Sequence, residues 1–221
     1  KMRKEFLYWY PMDLRVSGKD LLQNHLIFCL YNHTAIFPPE MCPRAFRANG
    51  HLLLNGDKMA KSTGNFLTMR EGVEQYGADG MRIALADAGD GVDDANFVKT
   101  TADAALLRLF TQLQWLEEVT APAAPNLSDS ADLSFYDRVF ESSINKAIAE
   151  SDSAYSRAMY REALLHALFD LQGARDLYRS TCDVLGVPMK KSLVMRFIET
   201  QAIVLSPIAP HFSDHVWRNV L

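Results

Sequence analysis

From residue 102 onward, apolar side chains recur every three or four positions. Ala102, Ala105, Leu106, Leu109, Phe110, Leu113 and Leu116 fall on one stripe, which predicts a strong amphipathic helix. Stretches at 137–156, 157–183 and 190–205 carry the same period, and Ser206-Pro207-Ile208-Ala209-Pro210 forces a break before a last segment at 211–221. Such a succession predicts an antiparallel helix bundle. A loop is expected at 120–134, where Pro122, Pro125, Asn126, Ser128, Asp129 and Ser130 cluster. Upstream, Thr68-Met69-Arg70-Glu71 fits a capping box and Gly77 sits where that helix should stop. Asp79 can cap a second short helix through Met81 to Ala86, and Ala88 to Asp94 reads as a tight acidic connection.

The residues before 67 are patterned differently. Phe6, Leu7, Tyr8, Pro11, Leu14 and Val16 make a short β-prone stretch that closes at Ser17-Gly18-Lys19-Asp20. Asp20 can cap a helix over Leu21 to Tyr31, apolar on most sides, as one packed on a sheet would be. Pro38-Pro39 and Pro43 mark a loop, Ala48 to Leu54 reads as one short buried strand, and Asn55-Gly56-Asp57 as its turn. Strand, helix and strand in that order predict a parallel α/β sheet. The unit is too small to be a whole doubly wound domain.

Composition narrows the class. The 221 residues are 48% apolar and 23% charged, values of a folded protein that exclude disorder, collagen-like repeats and low complexity. No apolar run approaches the ~18 residues of a membrane helix, so no membrane partner is expected. Cys29, Cys42 and Cys182 are widely spaced and odd in number, which disfavours a disulfide framework and fits a reducing cytosol. Charge is lopsided: residues 1–70 hold ten Lys and Arg against five Asp and Glu, the remainder thirteen against twenty-two. A positive first third suggests an anionic ligand such as phosphate. The chain opens at Lys1 with no leader methionine or signal segment and ends in apolar residues, so it is expected to be a piece of a longer protein.

The sharpest chemistry lies in Asn55-Gly56-Asp57-Lys58-Met59-Ala60-Lys61-Ser62-Thr63-Gly64-Asn65. Two lysines three apart, on a mobile Gly-flanked loop after a buried strand, can close on a polyphosphate and offset charge on a leaving pyrophosphate. Ser62, Thr63 and the N–H groups of Gly64 and Asn65 could add neutral donors. A P-loop is excluded, because Asn55 and Ala60 occupy its two glycine positions. On spacing alone, a solvated loop with two ordinary lysines remains equally open.

The surrounding residues add to this. Lys58-Met59-Ala60-Lys61-Ser62 resembles the KMSKS signature of class I aminoacyl-tRNA synthetases, and the match continues through Thr63-Gly64-Asn65 as in the leucine, isoleucine and valine branch. Leu14 to Leu21, Asn24-His25-Leu26, Tyr31-Asn32-His33 and Arg47 to Asn55 are similar to the cytosolic-type leucyl-tRNA synthetases. Tyr76 to Arg82 and Leu85 to Asp90 resemble that family's join between catalytic and helical domains, and Pro207 to Phe212 with Trp217 its anticodon-binding bundle. The resemblance covers nearly the entire chain.

It implies ATP-dependent activation of leucine to leucyl-adenylate, with Mg2+ accompanying ATP, and transfer to the 3′ end of tRNA(Leu) in the cytoplasm. The fold class it implies is α/β plus all-α: the second half of a Rossmann-like parallel sheet at 1–67, a connecting helical segment at 68–99, and an anticodon-binding bundle at 100–221, incomplete at its C-terminus. Lys58 and Lys61 would be catalytic, with Met59 and Ser62 also at ATP. Gly18 and Asp20 would lie at the ATP ribose, where a strand's carboxyl end meets a helix. Asn24 and His25 would face the same pocket, and Gly50 and His51 the adenine. His33, His166 and His215 read as structural, and His211 as an anchor of its helix start. No His and carboxylate set has the spacing of a zinc site, so no protein-bound zinc is expected.

Arg157, Arg161, Arg175 and Arg179 would fall within about 40° of each other on one straight helix. They make a candidate tRNA phosphate stripe, with ion pairing to Glu162 or Asp176 as the alternative and Gly173 a possible kink. The signature's middle serine is Ala60 here, so no role of a serine at that position carries over. Isoleucyl- or valyl-tRNA synthetase, or a non-catalytic binding or sensor module on the same fold, remain the alternatives. The HIGH-type signature, the editing domain and the C-terminal extension of the family are not in the sequence. The 221 residues alone are therefore expected to charge no tRNA and to be poorly soluble.

Overall fold

The computed structural model describes residues 1–121 and 127–221. Pro122, Pro125 and Asn126, expected within a loop, lie outside the described residues.

The chain opens on a helix, α1 (Met2–Trp9), where a β-prone stretch is expected. Phe6 stacks on Tyr10 at 4.9 Å and on Phe37 at 5.9 Å, so tertiary contacts outweigh the weak strand preference of Phe6 to Tyr8. Strand β1 (Arg15–Gly18) follows. The expected helix from Leu21 is shorter than its apolar run. Lys19–Leu21 form a tight 3₁₀ turn and Leu22–Leu26 a wide π-type turn, before α2 (Ile27–Ile36) begins. No side chain caps either start, so Asp20 is not the cap of this helix.

The single strand expected over 48–54 is two. β2 (Phe46–Asn49) pairs in parallel with β1, placing Gly18 opposite Asn49. β3 (Leu52–Leu54) belongs to a second sheet, between β4 (Asp57–Lys58), antiparallel to it, and β5 (Ala95–Phe97), parallel to it. Gly50 is the break. β5 is unexpected, because three residues, Ala-Asn-Phe, are too few to show an alternation.

Helix α3 (Met69–Ala88) begins with the expected capping box, Thr68 and Glu71 exchanging hydrogen bonds, and Gly77 interrupts it at φ 66°. It serves two cores. Tyr76 and, beyond the break, Ala84 pack with Leu54, Phe97 and Ala102, while Ile83 joins the core of the helical half. That half contains α4 (Lys99–Thr120), α5 (Phe135–Ser156), α6 (Tyr160–Leu164), α7 (Leu171–Leu185), α8 (Lys191–Leu205) and α9 (Pro210–Asn219). Ile144, Leu164, Leu168, Leu171, Phe197 and Leu205 are fully buried in its core. The stretch expected over 157–183 is not one straight helix. Ala158 at φ 54° separates α5 from α6, and Leu165–Asp170 form a wide π-type turn before α7. Gly173 lies inside α7 and is not the kink.

Asp79 does not cap its own helix. It is buried, and its carboxylate accepts the backbone N–H groups of Phe212 at 2.6 Å and His211 at 3.4 Å, at the start of α9. His211 thus anchors its helix through its backbone, while its imidazole is exposed. Arg82, one turn on, donates to the carbonyls of Ile208 and Pro207, each at 2.7 Å. The Pro207-Ile208-Ala209-Pro210 break is therefore held by α3. Asp79→Ala in the full-length protein should speed amide hydrogen exchange across 210–219 by about 30-fold, the equivalent of ~2 kcal/mol for orphaning two N–H donors at a helix start. Unchanged exchange there would show that α9 needs no cap from α3.

Candidate active site: a lysine hairpin and two parallel strand ends

Asn55 (φ 51°) and Gly56 (φ 90°) both sit in the left-handed region, and their two-residue turn folds β4 back along β3. After β4 the chain makes a second small loop. Ala60 pairs with Asn65, and Gly64 takes φ 73° to close it. Asn65 is the staple: its amide nitrogen lies 3.3–3.4 Å from the carbonyls of Leu54, Asp57 and Lys58. Asn55 and Asn96 tie the turn to β5, through Gly56 N–H to Asn96 Oδ1 at 2.7 Å and Lys99 N–H to Asn55 Oδ1 at 3.2 Å. Hydrogen bonds thus brace the loop at its Asn55-Gly56 turn and at its Ala60–Asn65 closure.

That bonding changes the donor inventory. Thr63 gives its hydroxyl to the Ala60 carbonyl at 3.0 Å, and the Gly64 and Asn65 N–H groups go to Lys61 O and Thr63 Oγ1. Three of the four neutral donors expected for a phosphate are thus engaged within the loop. Met59 packs against the Leu54, Tyr76 and Phe97 cluster. Lys58, Lys61 and Ser62 are exposed, and among the described residues neither lysine has an acidic partner within ion-pair distance. Two free ammonium groups on a braced loop are suited to receive an anion without first breaking a salt bridge.

The parallel pairing of β1 with β2 brings Gly18 and the Gly50-His51 corner to the same carboxyl edge. Asp20 turns its carboxylate back toward Gly18, so that a β-carbon there would stand 2.7 Å from Asp20 Oδ1. Gly50 is closer still to its neighbour: a β-carbon would lie 2.1 Å from the Asp93 carbonyl oxygen. His25 is not joined to this edge. It bonds the guanidinium of Arg15, at the opposite end of β1, at 2.6 Å. The Asn24 side chain is occupied locally, accepting from His25 N–H and reaching the Asp20 carbonyl at 3.5 Å.

The acidic connection before β5 organises this edge. Asp94 Oδ1 receives Lys19 Nζ at 2.6 Å and His51 N–H at 2.8 Å, with His51 Nδ1 at 3.4 Å. The Lys19 hydrogen bond first, then the His51 N–H, hold the Asp94 carboxyl below the usual carboxylate range. Asp90, nearly buried, accepts from the N–H groups of Tyr160 and Arg161 at the start of α6 and pairs with Arg47 of β2 at 3.7 Å. Arg47 in turn lies over the Tyr160 ring at 5.4 Å. The sequence pattern marks 88–94 only as a connection. The density of Asp and Gly there was the available signal.

The four arginines do not form a stripe, because the helix meant to carry them is broken. Arg157 closes α5 and pairs with Glu162 at 2.9 Å, while the Arg161 backbone is held by Asp90. Arg175 and Arg179 line a separate groove of about 800 Å³ between α4 and α7, where Arg175 stacks over Trp115 at 4.6 Å and pairs with Asp176 at 2.7 Å. Among the described residues no group of three or more His, Cys, Asp or Glu side chains could hold a metal ion, and no helix is long and apolar enough to cross a membrane.

Comparison with known proteins decides the family. The family model for tRNA synthetases class I (M) matches residues 3–106, and that for the anticodon-binding domain of tRNA ligase matches residues 137–221. The cytoplasmic leucine–tRNA ligases of Neurospora crassa and Arabidopsis thaliana are 49% and 50% identical to the chain over all of it. The chain belongs to the leucyl branch of the class I aminoacyl-tRNA synthetases. It spans about a fifth of those relatives' length, 19% and 20%. The leucine–tRNA ligase of Aeropyrum pernix is 42% identical over 99% of the chain, which is 22% of that protein. Two solved synthetase structures share the fold. A LeuRS–tRNA–LeuAMS ternary complex from Agrobacterium radiobacter K84 superposes with TM-score 0.72 at 18% identity, over 93% of this chain and 27% of that one. Mycobacterium tuberculosis methionyl-tRNA synthetase bound by methionyl-adenylate gives 0.76 at 18%, over 96% and 45%. The synthetase fold is thus an α/β unit with small parallel and mixed sheets, followed by the helix bundle.

Proposed function

We propose that this chain is the part of a leucine–tRNA ligase that neutralises pyrophosphate as it leaves, within an enzyme that activates leucine with ATP and transfers it to the 3′ end of tRNA(Leu) in the cytoplasm. The observation that carries the reading is the braced hairpin presenting Lys58 and Lys61 with no acidic partner among the described residues. It lies in a chain about half identical to cytoplasmic leucine–tRNA ligases. Leucine's carboxylate attacks the α-phosphate of ATP and pyrophosphate departs. The two ammonium groups offset the charge that accumulates on it. Gly18 and Asp20 sit with Gly50 and His51 at one carboxyl edge, which suits them to the ribose and the adenine. His25 and Asn24 take less direct parts, given their bonds to Arg15 and Asp20. Mg2+ would arrive on the ATP phosphates, since the described residues offer no protein cage for it.

The division into 1–67, 68–99 and 100–221 belongs to this reading, with the last part meeting tRNA. The exposed Trp9, Val16, Phe28, Tyr31 and Ile36 of α1, β1 and α2 suit a face that the rest of the synthetase covers. The test is leucine-dependent ATP–pyrophosphate exchange and tRNA(Leu) charging by the full-length protein, with isoleucine and valine run alongside. Exchange driven by leucine over both competitors supports the reading. Exchange driven by isoleucine or valine moves the chain to a sister branch, and none at all leaves a non-catalytic module.

A further inference from the structure

We infer that Asp94 is a positioning residue for the nucleotide: a single carboxylate oxygen that locks the loop after β1 to the loop after β2. The inference rests on the proposed ATP-dependent activation and deepens it at the same edge. Three segments far apart in sequence meet on Asp94 Oδ1: Lys19 from the loop after β1, the backbone N–H and ring of His51 after β2, and the entry to β5 from Asp94 itself. The Lys19 contact, at 2.6 Å, is a charge-assisted hydrogen bond. An independent contact at the same place removes slack. Gly50 and the Asp93–Asp94 peptide pack backbone on backbone, with Asp93 O, Asp93 C and Asp94 N at 2.1, 2.4 and 2.8 Å from where a β-carbon would be.

The partners explain why one carboxylate serves. Lys19 lies between Gly18 and Asp20, and His51 adjoins Gly50, so the groups proposed to meet ribose and adenine each make an Asp94 contact or lie one residue from one. The β1–β2 backbone ladder, which runs as far as Gly18 opposite Asn49, is the other link between these two segments. Among the described residues Asp94 supplies the side-chain contacts that join Lys19 to His51, and through β5 it connects them to the lysine hairpin, because β5 holds Gly56 by way of Asn96. Both side chains of the Lys19–Asp94 pair are about a third exposed, at 35% and 37%. Such a pair contributes little to folding, so its removal should be felt in geometry and not in stability.

The experiment is exchange kinetics of the full-length protein with Asp94→Asn, which keeps an acceptor for the His51 N–H and drops the charge that holds Lys19. KM for ATP should rise about tenfold while KM for leucine stays within about twofold, since misplacing a binding loop by an ångström is felt where that loop binds. Asp94→Ala should be worse than Asp94→Asn for ATP, with the thermal midpoint of both near that of the parent. Wild-type KM for ATP in Asp94→Asn overturns the inference. So does an equal loss for ATP and leucine with a lowered thermal midpoint, which is what a merely structural residue would give. The parent, run in parallel, separates the two claims: no leucine-dependent exchange by the parent brings down the activation reading and Asp94's role with it, whereas parental exchange with wild-type KM for ATP in Asp94→Asn overturns the Asp94 inference alone.

Discussion

Lys61→Ala in the full-length protein should lower kcat for leucine-dependent ATP–pyrophosphate exchange by about 10²–10³-fold, the cost of removing one preorganised donor from a developing anion. Leucine binding should be unchanged. The loop's shape does not depend on the side chain, because Asn65, Thr63 and Gly64 hold the backbone and the ammonium is exposed with no ion pair among the described residues. Stability should therefore move by less than about 0.5 kcal/mol, the usual range for a surface change. Lys58→Ala should act in the same direction. Ala60→Ser adds back one neutral hydroxyl and should alter the rate by no more than about tenfold, as a typical neutral hydrogen bond contributes ~0.5–1.5 kcal/mol. Charge at 58 and 61 should therefore matter far more than a hydroxyl at 60. A Lys61→Ala enzyme with normal exchange would return the hairpin to an ordinary surface loop.

Gly50→Ala should be the most damaging small substitution in the first 67 residues. The added carbon would meet only backbone, Asp93 O at 2.1 Å foremost, so no side chain can swing aside. The corner between β2 and β3 would have to part from the entry to β5, taking Asp94 away from Lys19 and His51. Overpacking against rigid neighbours costs about 3 kcal/mol, and the misplaced edge should lower exchange by about 100-fold. Gly56→Ala is the control. It sits at φ 90° with nothing within 4 Å, so its cost is the left-handed backbone alone, ~1 kcal/mol. Rates from exchange assays, with amide hydrogen exchange over 46–54, distinguish the two. A Gly50→Ala enzyme with parental rates would mean that the contact with Asp93 can open freely.

Much of the architecture was legible where the signal is local. The capping box at Thr68 and Glu71, the Asn55-Gly56 turn, the stop at Gly77 and the bundle helices all follow from neighbours along the chain. The hairpin lysines were legible too, because their spacing and flanking residues are contiguous. Less legible were the elements whose identity comes from a distant partner. Phe6 to Tyr8 took the helix that stacking on Phe37 favours. Ala95–Phe97 became a strand only because Leu52–Leu54 lies beside it. The arginine stripe failed because Ala158 breaks the helix that the periodicity alone had drawn straight.

By itself the sequence determined the family and the chemical repertoire: an α/β unit and a helical bundle, two lysines in a signature loop, and a run of aspartates around 87–94. What the aspartates do was decided only by tertiary structure. Asp79 looked like the cap of its own short helix and instead caps α9, more than a hundred residues away. Asp90 and Asp94 read as part of a tight acidic connection and in the fold hold α6, Arg47, Lys19 and His51. The physical reason is common to all three. A carboxylate accepts equally well from any nearby N–H or cation, so local preference cannot rank its partners, and the packing of α3 and β5 against the rest of the chain chooses among them.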